Sequence, residues 1–414
     1  MHFDQITLPN GLRIIGEYIP HFRSVSVGLW IGAGSQYENR AQAGMSHYIE
    51  HMVFKGTTSR SARDIAEQMD EVGGQLNAFT SKECTCFYAK VVDEHVRLAL
   101  DIISDLCVRP VFDLSDMEKE KGVVLEEIDM AEDTPEDLVH ELLMLAHFGD
   151  QPVARPILGT EDSVNSFTRE QVMDYWQRMY RPENAVLAVA GSYRWEEILE
   201  MAREFLGGWE KGTFIKPEFH TDMVEPTYLR RDKDIEQANI CLGFPGLRTG
   251  DEMGYELSLF SSVYGGAMSS RLFQKIREES GLAYSVYSYP NAYTDCGMLS
   301  VYAATSPENA RRVCDMIMSE TRRLVDEGLT RDEFIKAREQ LKSGFILGQE
   351  STSARMHSAG RRLLLLGSTR TEDEVIARVN AMDFEATNAL MRRLLSAKPS
   401  CTLVSRSADS IELF

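Results

Sequence analysis

Two histidines and a glutamate fall within five consecutive residues of the chain, His47-Tyr48-Ile49-Glu50-His51. Each residue of an α-helix turns about 100°, so a helix over this segment places His47, Glu50 and His51 on one face. Zinc binds neutral imidazole nitrogen, and a hydrolytic zinc site keeps one coordination position for water. Glu50 is then placed to act as the base for that water. The order of the residues is that of the inverted H-x-x-E-H motif.

The alternative interpretation of this motif is an amphipathic helix whose histidines happen to lie on its polar side. A catalytic zinc site would need a third protein ligand. A predicted helix over about residues 115–131 offers the acidic residues Glu118, Glu120, Glu126, Glu127 and Asp129. Most of these are expected to be solvated charges. Glu120 and Glu127 are about 20° from alignment on one helix face, so one could bind metal while the other orients a ligand.

The elements that must position this motif recur in the second half of the chain, which indicates an internal duplication. The first half is predicted to contain a strand over residues 24–31, helices over about 44–54 and 64–72, and paired strands over 75–92. The second half repeats this order over residues 238–244, 253–264, 270–279 and 282–304. Long helices follow in both halves, over residues 94–107, 113–132 and 136–147, and over residues 307–327, 331–349 and 353–366.

Residues 209–227 separate the two halves, contain Gly212, Pro217 and Pro226, and show little periodicity, so we expect a linker there. The sequence therefore predicts an α+β fold with two structurally related domains, each an antiparallel-rich sheet packed with helices. Residues 1–208 would form the zinc-bearing catalytic domain. Residues 228–414 would form a related second domain without the zinc motif.

Charge and hydropathy exclude some classes of protein. The chain has 414 residues and a formal net charge of −20. We expect no nucleic-acid partner, because phosphate contacts require clustered Lys and Arg. The acidic balance is either the ordinary surface of a cytosolic enzyme or the sign of an acidic interior that attracts basic peptides. No segment approaches the roughly 20 apolar residues that cross a bilayer, so we expect no membrane partner.

The seven cysteines are odd in number and irregularly spaced, which is typical of reduced thiols in a cytosol. Cys84 and Cys86 form a C-x-C pair on one face of a predicted strand; packing is favoured over a metal or redox role because no second pair accompanies them. The first 20 residues include Asp4 and Glu17 and are predicted to form strands rather than a signal peptide. We therefore expect a cytoplasmic protein.

Four stretches of the chain carry a resemblance to a known family. They are residues 47–57, residues 76–83, residues 123–128, and residues 268–273 together with 276–284. Together they resemble the pitrilysin-like (M16) zinc metallopeptidases, specifically the short-chain group that includes mitochondrial processing peptidase and bacterial processing-protease homologues. The resemblance spans nearly the whole chain and points to a bacterial protein.

The resemblance assigns roles to the residues of the motif and of the acidic helix. It implies one zinc ion per chain, held by His47, His51 and Glu127. Glu120 matches the family's supporting acidic residue, and Glu50 matches its catalytic base. The distal glutamate of the family falls on Glu127 rather than on its neighbour, in agreement with the helix geometry.

The resemblance also implies residues that contact the substrate. Asn77 and Ala78, followed by Phe79, match an edge-strand segment on which family substrates add as a β-strand, a mode that relies on backbone hydrogen bonds. The alternative for Asn77 is a turn residue. Arg277 and Tyr284 match a pair that reaches the scissile carbonyl from another domain and stabilises the developing oxyanion. From the sequence alone they would be a helix-surface arginine and a strand tyrosine.

The expected function is a zinc-dependent endopeptidase that hydrolyses extended or unfolded peptides with water activated by Glu50. The chain lacks the second tandem pair of domains of large family members, which implies that two short chains pair around an enclosed chamber. The partner is a second copy, giving a homodimer, or a related inactive chain, giving a heterodimer. The alternative function is a non-catalytic peptide-binding or assembly subunit of the same family. Processing of one dedicated precursor and general peptide degradation both remain open.

Overall fold

A computed structural model describes residues 2–212 and 217–413. The chain forms two compact units, each assembled from separate stretches of sequence. The first unit contains Met1–Ile128, Arg155–Glu218 and Ile346–Glu374, and the second contains Asp129–Ala154, Phe219–Phe345 and Val375–Phe414. Each unit has a β-sheet packed with helices, which confirms the predicted α+β fold.

The first unit has six strands within its described residues. They are β1 Asp4–Thr7, β2 Arg13–Tyr18, β3 Ser24–Ile31, β4 Gln75–Thr80, β5 Thr85–Val92 and β6 Ala185–Gly191. Their order in the sheet is β1-β2-β6-β3-β5-β4, with β2 and β6 parallel and the other neighbours antiparallel. Nearly every residue of β3 and β6 is buried, as expected for strands covered on both faces. Strand β4 lies at the edge and pairs with β5.

The second unit has five strands in the part of the chain that the structure describes. They are β7 Tyr228–Asp232, β8 Ala238–Pro245, β9 Ala283–Ala292, β10 Gly297–Thr305 and β11 Ser400–Ser405. Their order is β7-β11-β8-β10-β9, in which β7 and β11 are parallel. Strands β8, β9 and β10 were predicted from the sequence. Strands β7 and β11 were not.

The helices of the first half are α1 Met45–Val53, α2 Ala62–Glu71, α3 Val96–Val108, α4 Leu114–Asp133, α5 Pro135–Phe148, α6 Glu161–Ser166, α7 Arg169–Met179 and α8 Trp195–Leu206. Those of the second half are α9 Gly254–Ser261, α10 Ala310–Glu327, α11 Arg331–Gly348, α12 Thr352–Leu366, α13 Glu372–Asn380 and α14 Phe384–Leu395. Two π-helical turns, Ser262–Gly266 and Phe273–Glu278, occupy parts of the predicted helices at 253–264 and 270–279. Every long helix predicted from the sequence is present.

Helix α12 belongs to the second half of the sequence but packs on the sheet of the first unit. Its apolar side chains Met356, Ala359 and Leu363 are buried in one cluster with Trp30 and strand β6. Gly360 permits this approach, because a Cβ at that position would overlap the indole of Trp30. The guanidinium of Arg355 donates to Glu17 at 2.6 Å, and both side chains are 6% exposed. This buried ion pair fixes the helix on strand β2.

Helix α5 belongs to the first half of the sequence and packs on the sheet of the second unit. Its apolar side chains Leu138, Val139 and Leu143 are buried in one cluster with Met298 and Tyr302. Two hydroxyls of β11 donate to its backbone carbonyls, Ser400 to Ala146 and Thr402 to Val139, both at 3.1 Å. Each unit therefore contains one helix from the opposite half of the chain.

The compact units differ for this reason from the contiguous domains predicted from the sequence, residues 1–208 and 228–414. Of the predicted linker over residues 209–227, residues 213–216 lie outside the described residues, and its described remainder forms no helix or strand. None of the described helices is both long and apolar enough to cross a membrane. Cys84 and Cys86 are buried in the cluster that contains Trp30, and no disulfide occurs among the described residues.

Candidate metal centre

Helix α1 presents the H-x-x-E-H motif. Its buried face consists of Tyr48, Ile49, Met52 and Val53, all fully buried in the core of the first unit. The opposite face carries the motif's two histidines and its glutamate, which are partly exposed or half-buried. The sequence places these polar groups at the surface because the apolar residues between them occupy the core-facing positions of the helix.

The start of α1 is fixed by a buried carboxylate that the sequence did not suggest. Glu38 accepts hydrogen bonds from the backbone N–H groups of Gly44 and Ser46, both at 2.7 Å. A negative charge at a helix N-terminus is favourable, and these two N–H groups have no partner within the helix. Burial raises the pKa of Glu38 to about 7, while the bonds to Ser46 and Gly44 act in the opposite direction. Gly44 adopts a φ of +88°, which favours glycine.

Helix α4 brings the acidic residues to α1. The phenol of Tyr48 donates to the carbonyl of Met117 at 2.6 Å and joins the two helices. Glu120 is buried, and Glu127, two helical turns further on, is partly exposed. The spacing of seven residues therefore places both carboxylates beside the histidines of α1, as the sequence predicted.

His47, His51 and Glu127 together have the geometry of a metal site. Their ligand atoms all lie within 4.8 Å of one another. Oε2 of Glu127 is 3.4 Å from Nε2 of His47 and 3.5 Å from Nε2 of His51. Two ligands of a tetrahedral zinc at about 2.0 to 2.1 Å are themselves about 3.3 to 3.4 Å apart. The residues present therefore fit a zinc ion held by two nitrogens and one oxygen.

The exposure of the three side chains shows where the site opens. The exposed fraction is 12% for His47, 19% for His51 and 38% for Glu127. A hydrolytic site must keep one position for water and substrate. The side of Glu127 is therefore the accessible side of this site.

The protonation state of His47 is also suited to a metal. Burial lowers the pKa of His47 to about 4, and the neighbouring His51 contributes in the same direction. The two rings lie 4.6 Å apart between centroids. A neutral imidazole offers a nitrogen lone pair, so His47 is ready to bind a cation at neutral pH.

His51 is in contact with the carboxylate of Glu120, which in turn contacts the ammonium of Lys55. Nδ1 of His51 lies 3.2 Å from Oε2 of Glu120. The other oxygen of Glu120 is 2.5 Å from Nζ of Lys55. With the Nδ1 proton donated to Glu120, the lone pair of Nε2 points toward Glu127, which is the orientation that a ligand needs. By contrast, Nδ1 of His47 is buried without a hydrogen-bond partner among the described residues.

Glu50 directly precedes His51 in the sequence and is oriented by a hydroxyl. Oγ1 of Thr80 donates to Oε2 of Glu50 at 2.5 Å. Burial raises the pKa of Glu50, the bond from Thr80 and the proximity of His51 lower it, and Glu127 raises it further. A carboxylate with a raised pKa is a stronger base than an exposed one.

The predicted substrate segment Asn77-Ala78-Phe79 lies on the edge strand β4. The backbone N–H of Ala78 donates to the side chain of Asn77 at 2.8 Å instead of to a neighbouring strand. The ring of Phe79 packs against Trp30 and Tyr88, with centroids 5.6 and 6.2 Å apart. The backbone of this segment is thus available at the sheet edge, whereas the side chain of Phe79 is part of an aromatic cluster.

Arg277 and Tyr284 are brought together in the second unit. The guanidinium of Arg277 lies 4.7 Å from the ring centroid of Tyr284 and donates to the Tyr284 carbonyl at 2.8 Å. It also lies 4.8 Å from the ring of Phe273. Tyr284 is 75% exposed, so its phenol is free to contact a molecule outside the unit. Arg277 lies in the π-helical turn Phe273–Glu278 and Tyr284 lies in strand β9, which are the elements expected from the sequence alone, and the two side chains contact each other.

Comparison with known proteins places this chain in a family. Residues 13–161 match the family described as Insulinase (Peptidase family M16), and residues 166–341 match the Peptidase M16 inactive domain. A Bacillus subtilis protein named uncharacterized zinc protease is 44% identical over 407 residues, 97% of this chain and 98% of that protein. The chain belongs to the M16 peptidase family. The resemblance inferred from the motifs is thereby confirmed.

Further relatives agree with this family. A Streptomyces coelicolor protein, also named uncharacterized zinc protease, is 38% identical, with 97% of this chain and 89% of that protein covered. A crystal structure titled peptidase M16 inactive domain from Pseudomonas fluorescens has a TM-score of 0.90 at 18% identity, with 98% of both chains covered. A Helicobacter pylori protease has a TM-score of 0.89 at 18% identity, covering 98% of this chain and 99% of that one. The structural matches show that the M16 fold is shared.

Proposed function

We propose that this protein is a zinc-dependent endopeptidase that hydrolyses extended or unfolded peptides. The observation that carries the proposal is the cluster of His47, His51 and Glu127, whose ligand atoms lie within 4.8 Å of one another on the helix that also carries the half-buried Glu50. The names of the bacterial relatives support zinc and proteolysis as its chemistry. One zinc ion per chain would be held by these three residues.

Each residue of the site has a separate proposed role in peptide hydrolysis. Zinc, when bound, polarises the scissile carbonyl and lowers the pKa of the attacking water. Glu50 accepts a proton from that water and passes it to the leaving amine. Glu120 holds His51 through Nδ1 and keeps its Nε2 aimed at the site. Lys55 compensates the buried charge of Glu120.

The edge strand β4 is the proposed binding surface for the peptide. An added strand would pair with the backbone of Asn77, Ala78 and Phe79 and would displace the Asn77 side chain from the Ala78 N–H. Main-chain pairing does not depend on a free peptide terminus, and it places few demands on sequence. This mode therefore favours an endopeptidase that acts on segments able to adopt an extended conformation.

Two chains are proposed to form the active unit, as a homodimer or with a related chain, around an enclosed chamber. Arg277 and Tyr284 would act on the developing oxyanion at the zinc site of the other chain. Their mutual contact and the 75% exposure of Tyr284 support a role outside their own unit. A phenol or guanidinium that meets the oxyanion stabilises charge that appears only in the transition state.

Metal removal tests the proposed function. We expect a chelator to abolish cleavage of an unstructured peptide, and one equivalent of Zn²⁺ per chain to restore it. Three protein ligands form a site for a single ion, and a chelator can remove that ion. Metal analysis and cleavage assays on the same sample measure this, with Mg²⁺ addition as the control. A purified chain that holds no stoichiometric zinc and cleaves nothing would instead support the non-catalytic subunit.

A subunit-mixing experiment tests the assembly. Chains with Glu50→Gln and chains with Tyr284→Phe should each be weakly active alone. Random exchange of equal amounts makes about half of the dimers mixed, each with one intact site of two, so about a quarter of wild-type activity should return. Activity after verified exchange is the measurement. If no activity returns although mixed dimers are detected, Tyr284 acts within its own chain or outside catalysis.

A further inference from the structure

The candidate base is attached to the candidate substrate strand by one hydrogen bond. Oγ1 of Thr80 donates to Oε2 of Glu50 at 2.5 Å, across 30 residues of sequence. Among the described residues no donor contacts the second oxygen, Oε1. A carboxylate held by one oxygen presents the other in a fixed direction, which is what a general base requires for proton abstraction.

Thr80 is itself held in place by the sheet. It is the last residue of β4 and lies opposite Thr85 of β5 in the strand register. The two hydroxyl oxygens are 3.3 Å apart, and the hydroxyl of Thr85 donates to the carbonyl of Ala33 at 2.9 Å. A hydroxyl has one proton, and Thr80 donates its own to Glu50 while Thr85 donates its own to Ala33, so the two threonines are in contact without a hydrogen bond between them. The pairing of β4 with β5 therefore holds Thr80 in place beside Glu50.

We propose that Thr80 is a positioning residue that fixes the carboxylate of Glu50 and couples its orientation to the edge strand on which the peptide binds. This inference rests on the proposed function, since it concerns the base of that reaction. Thr80 is three residues beyond Asn77, at the end of the segment that would pair with the peptide. Strand addition restrains the backbone of the edge strand, and the restraint reaches Glu50 through the hydroxyl.

The coupling has a consequence for which substrates are cleaved well. A peptide long enough to pair along β4 would order Thr80 and so align the base. A short peptide that reaches the metal but not the strand would leave the base less restrained. Removal of the Thr80 hydroxyl should therefore lower kcat and leave KM nearly unchanged, because the hydroxyl contacts the base and not the peptide.

The test compares three variants with the wild-type chain. Thr80→Val keeps the shape of the side chain without its hydroxyl and should lower kcat about 10- to 100-fold, the usual loss when a supporting partner is removed, with KM and zinc content nearly unchanged. Thr80→Ser restores the hydroxyl and should recover most of the activity. Thr58→Val removes a hydroxyl from an exposed threonine of the same unit and is the matched control, expected to behave as wild type.

Cleavage of a long unstructured peptide, zinc content and thermal unfolding are measured for every variant. If Thr80→Val has the kcat of the wild type, the inference is wrong. The proposed function is still supported in that case, because the wild-type chain hydrolyses the peptide. A lower kcat accompanied by lost zinc also overturns the inference, because Thr80 would then support the metal rather than the base. If Thr80→Val does not fold, the kcat of Thr80→Ala, which lacks the hydroxyl, is compared with the kcat of Thr80→Ser, which has it. A wild-type chain without any hydrolysis overturns the proposed function and this inference with it.

Discussion

Substitution of Glu50 by glutamine is expected to lower kcat by about 10²- to 10⁴-fold, the range contributed by a general base. Glutamine has nearly the shape of glutamate but does not accept a proton at neutral pH. It can still accept the hydrogen bond from Thr80, so the surrounding contacts are retained. Zinc content should match the wild type, because Glu50 is outside the three-residue ligand cluster.

The measurement pairs turnover of a fluorogenic peptide with metal analysis of the same protein. Glu126→Gln is the matched control, since it removes one carboxylate from an exposed position on α4. Loss of zinc from Glu50→Gln would identify Glu50 as a ligand instead of the base. Unchanged turnover in Glu50→Gln would remove it from the mechanism.

Substitution of Glu127 by glutamine is expected to release most of the zinc and, with it, the activity. Oε2 of Glu127 is the oxygen that faces both histidines, at 3.4 and 3.5 Å. A neutral amide oxygen is a much poorer ligand for a divalent cation than a carboxylate. Even removal of a supporting residue typically costs 10- to 100-fold in metal affinity, so loss of a direct ligand should cost about 100-fold or more.

Competition with a zinc chelator of known affinity measures this loss. Glu126→Gln again serves as the control, because it is the adjacent carboxylate on the same helix. If Glu126→Gln lost zinc while Glu127→Gln held it as tightly as the wild type, the ligand assignment would be wrong by one residue.

The site was largely predictable where local periodicity decides the geometry. His47 and His51 are one turn apart, and Glu120 and Glu127 are two turns apart, so helix formation alone places each pair on one face. The structure brings His47, His51 and Glu127 within 4.8 Å. Their service as zinc ligands stays a prediction. The choice of Glu127 over its neighbours came from the same periodicity together with the family resemblance.

The supporting residues were not predictable because their partners are remote in sequence. Thr80 reaches Glu50 across 30 residues, and Lys55 reaches Glu120 only after α4 has docked on α1. Glu38 caps α1 from outside the helix, in a loop with no periodic pattern. A threonine at the end of an edge strand or a lysine after a helix has no distinctive signal by itself. Only the tertiary pairing brings it to the candidate site.

Strand β6 is an element of the fold that local sequence did not predict. Its sequence, Ala185–Gly191, has no alternation of polar and apolar residues, because both of its faces are covered and every residue is buried. Such a run is not distinguished from a buried helix by pattern. The placement of α12 on the first sheet was equally hidden, since an apolar helix face does not specify which sheet covers it.

The exchange of α5 and α12 bears on how this duplicated chain can evolve. Neither half of the coding sequence specifies a complete core: a fragment that stops at residue 208 lacks the helix that covers Trp30, and it retains α5 without the sheet that α5 covers. Mutations in the half that has no zinc motif therefore alter the sheet that bears β4. A substitution in either half must therefore remain compatible with packing contacts made by the other half.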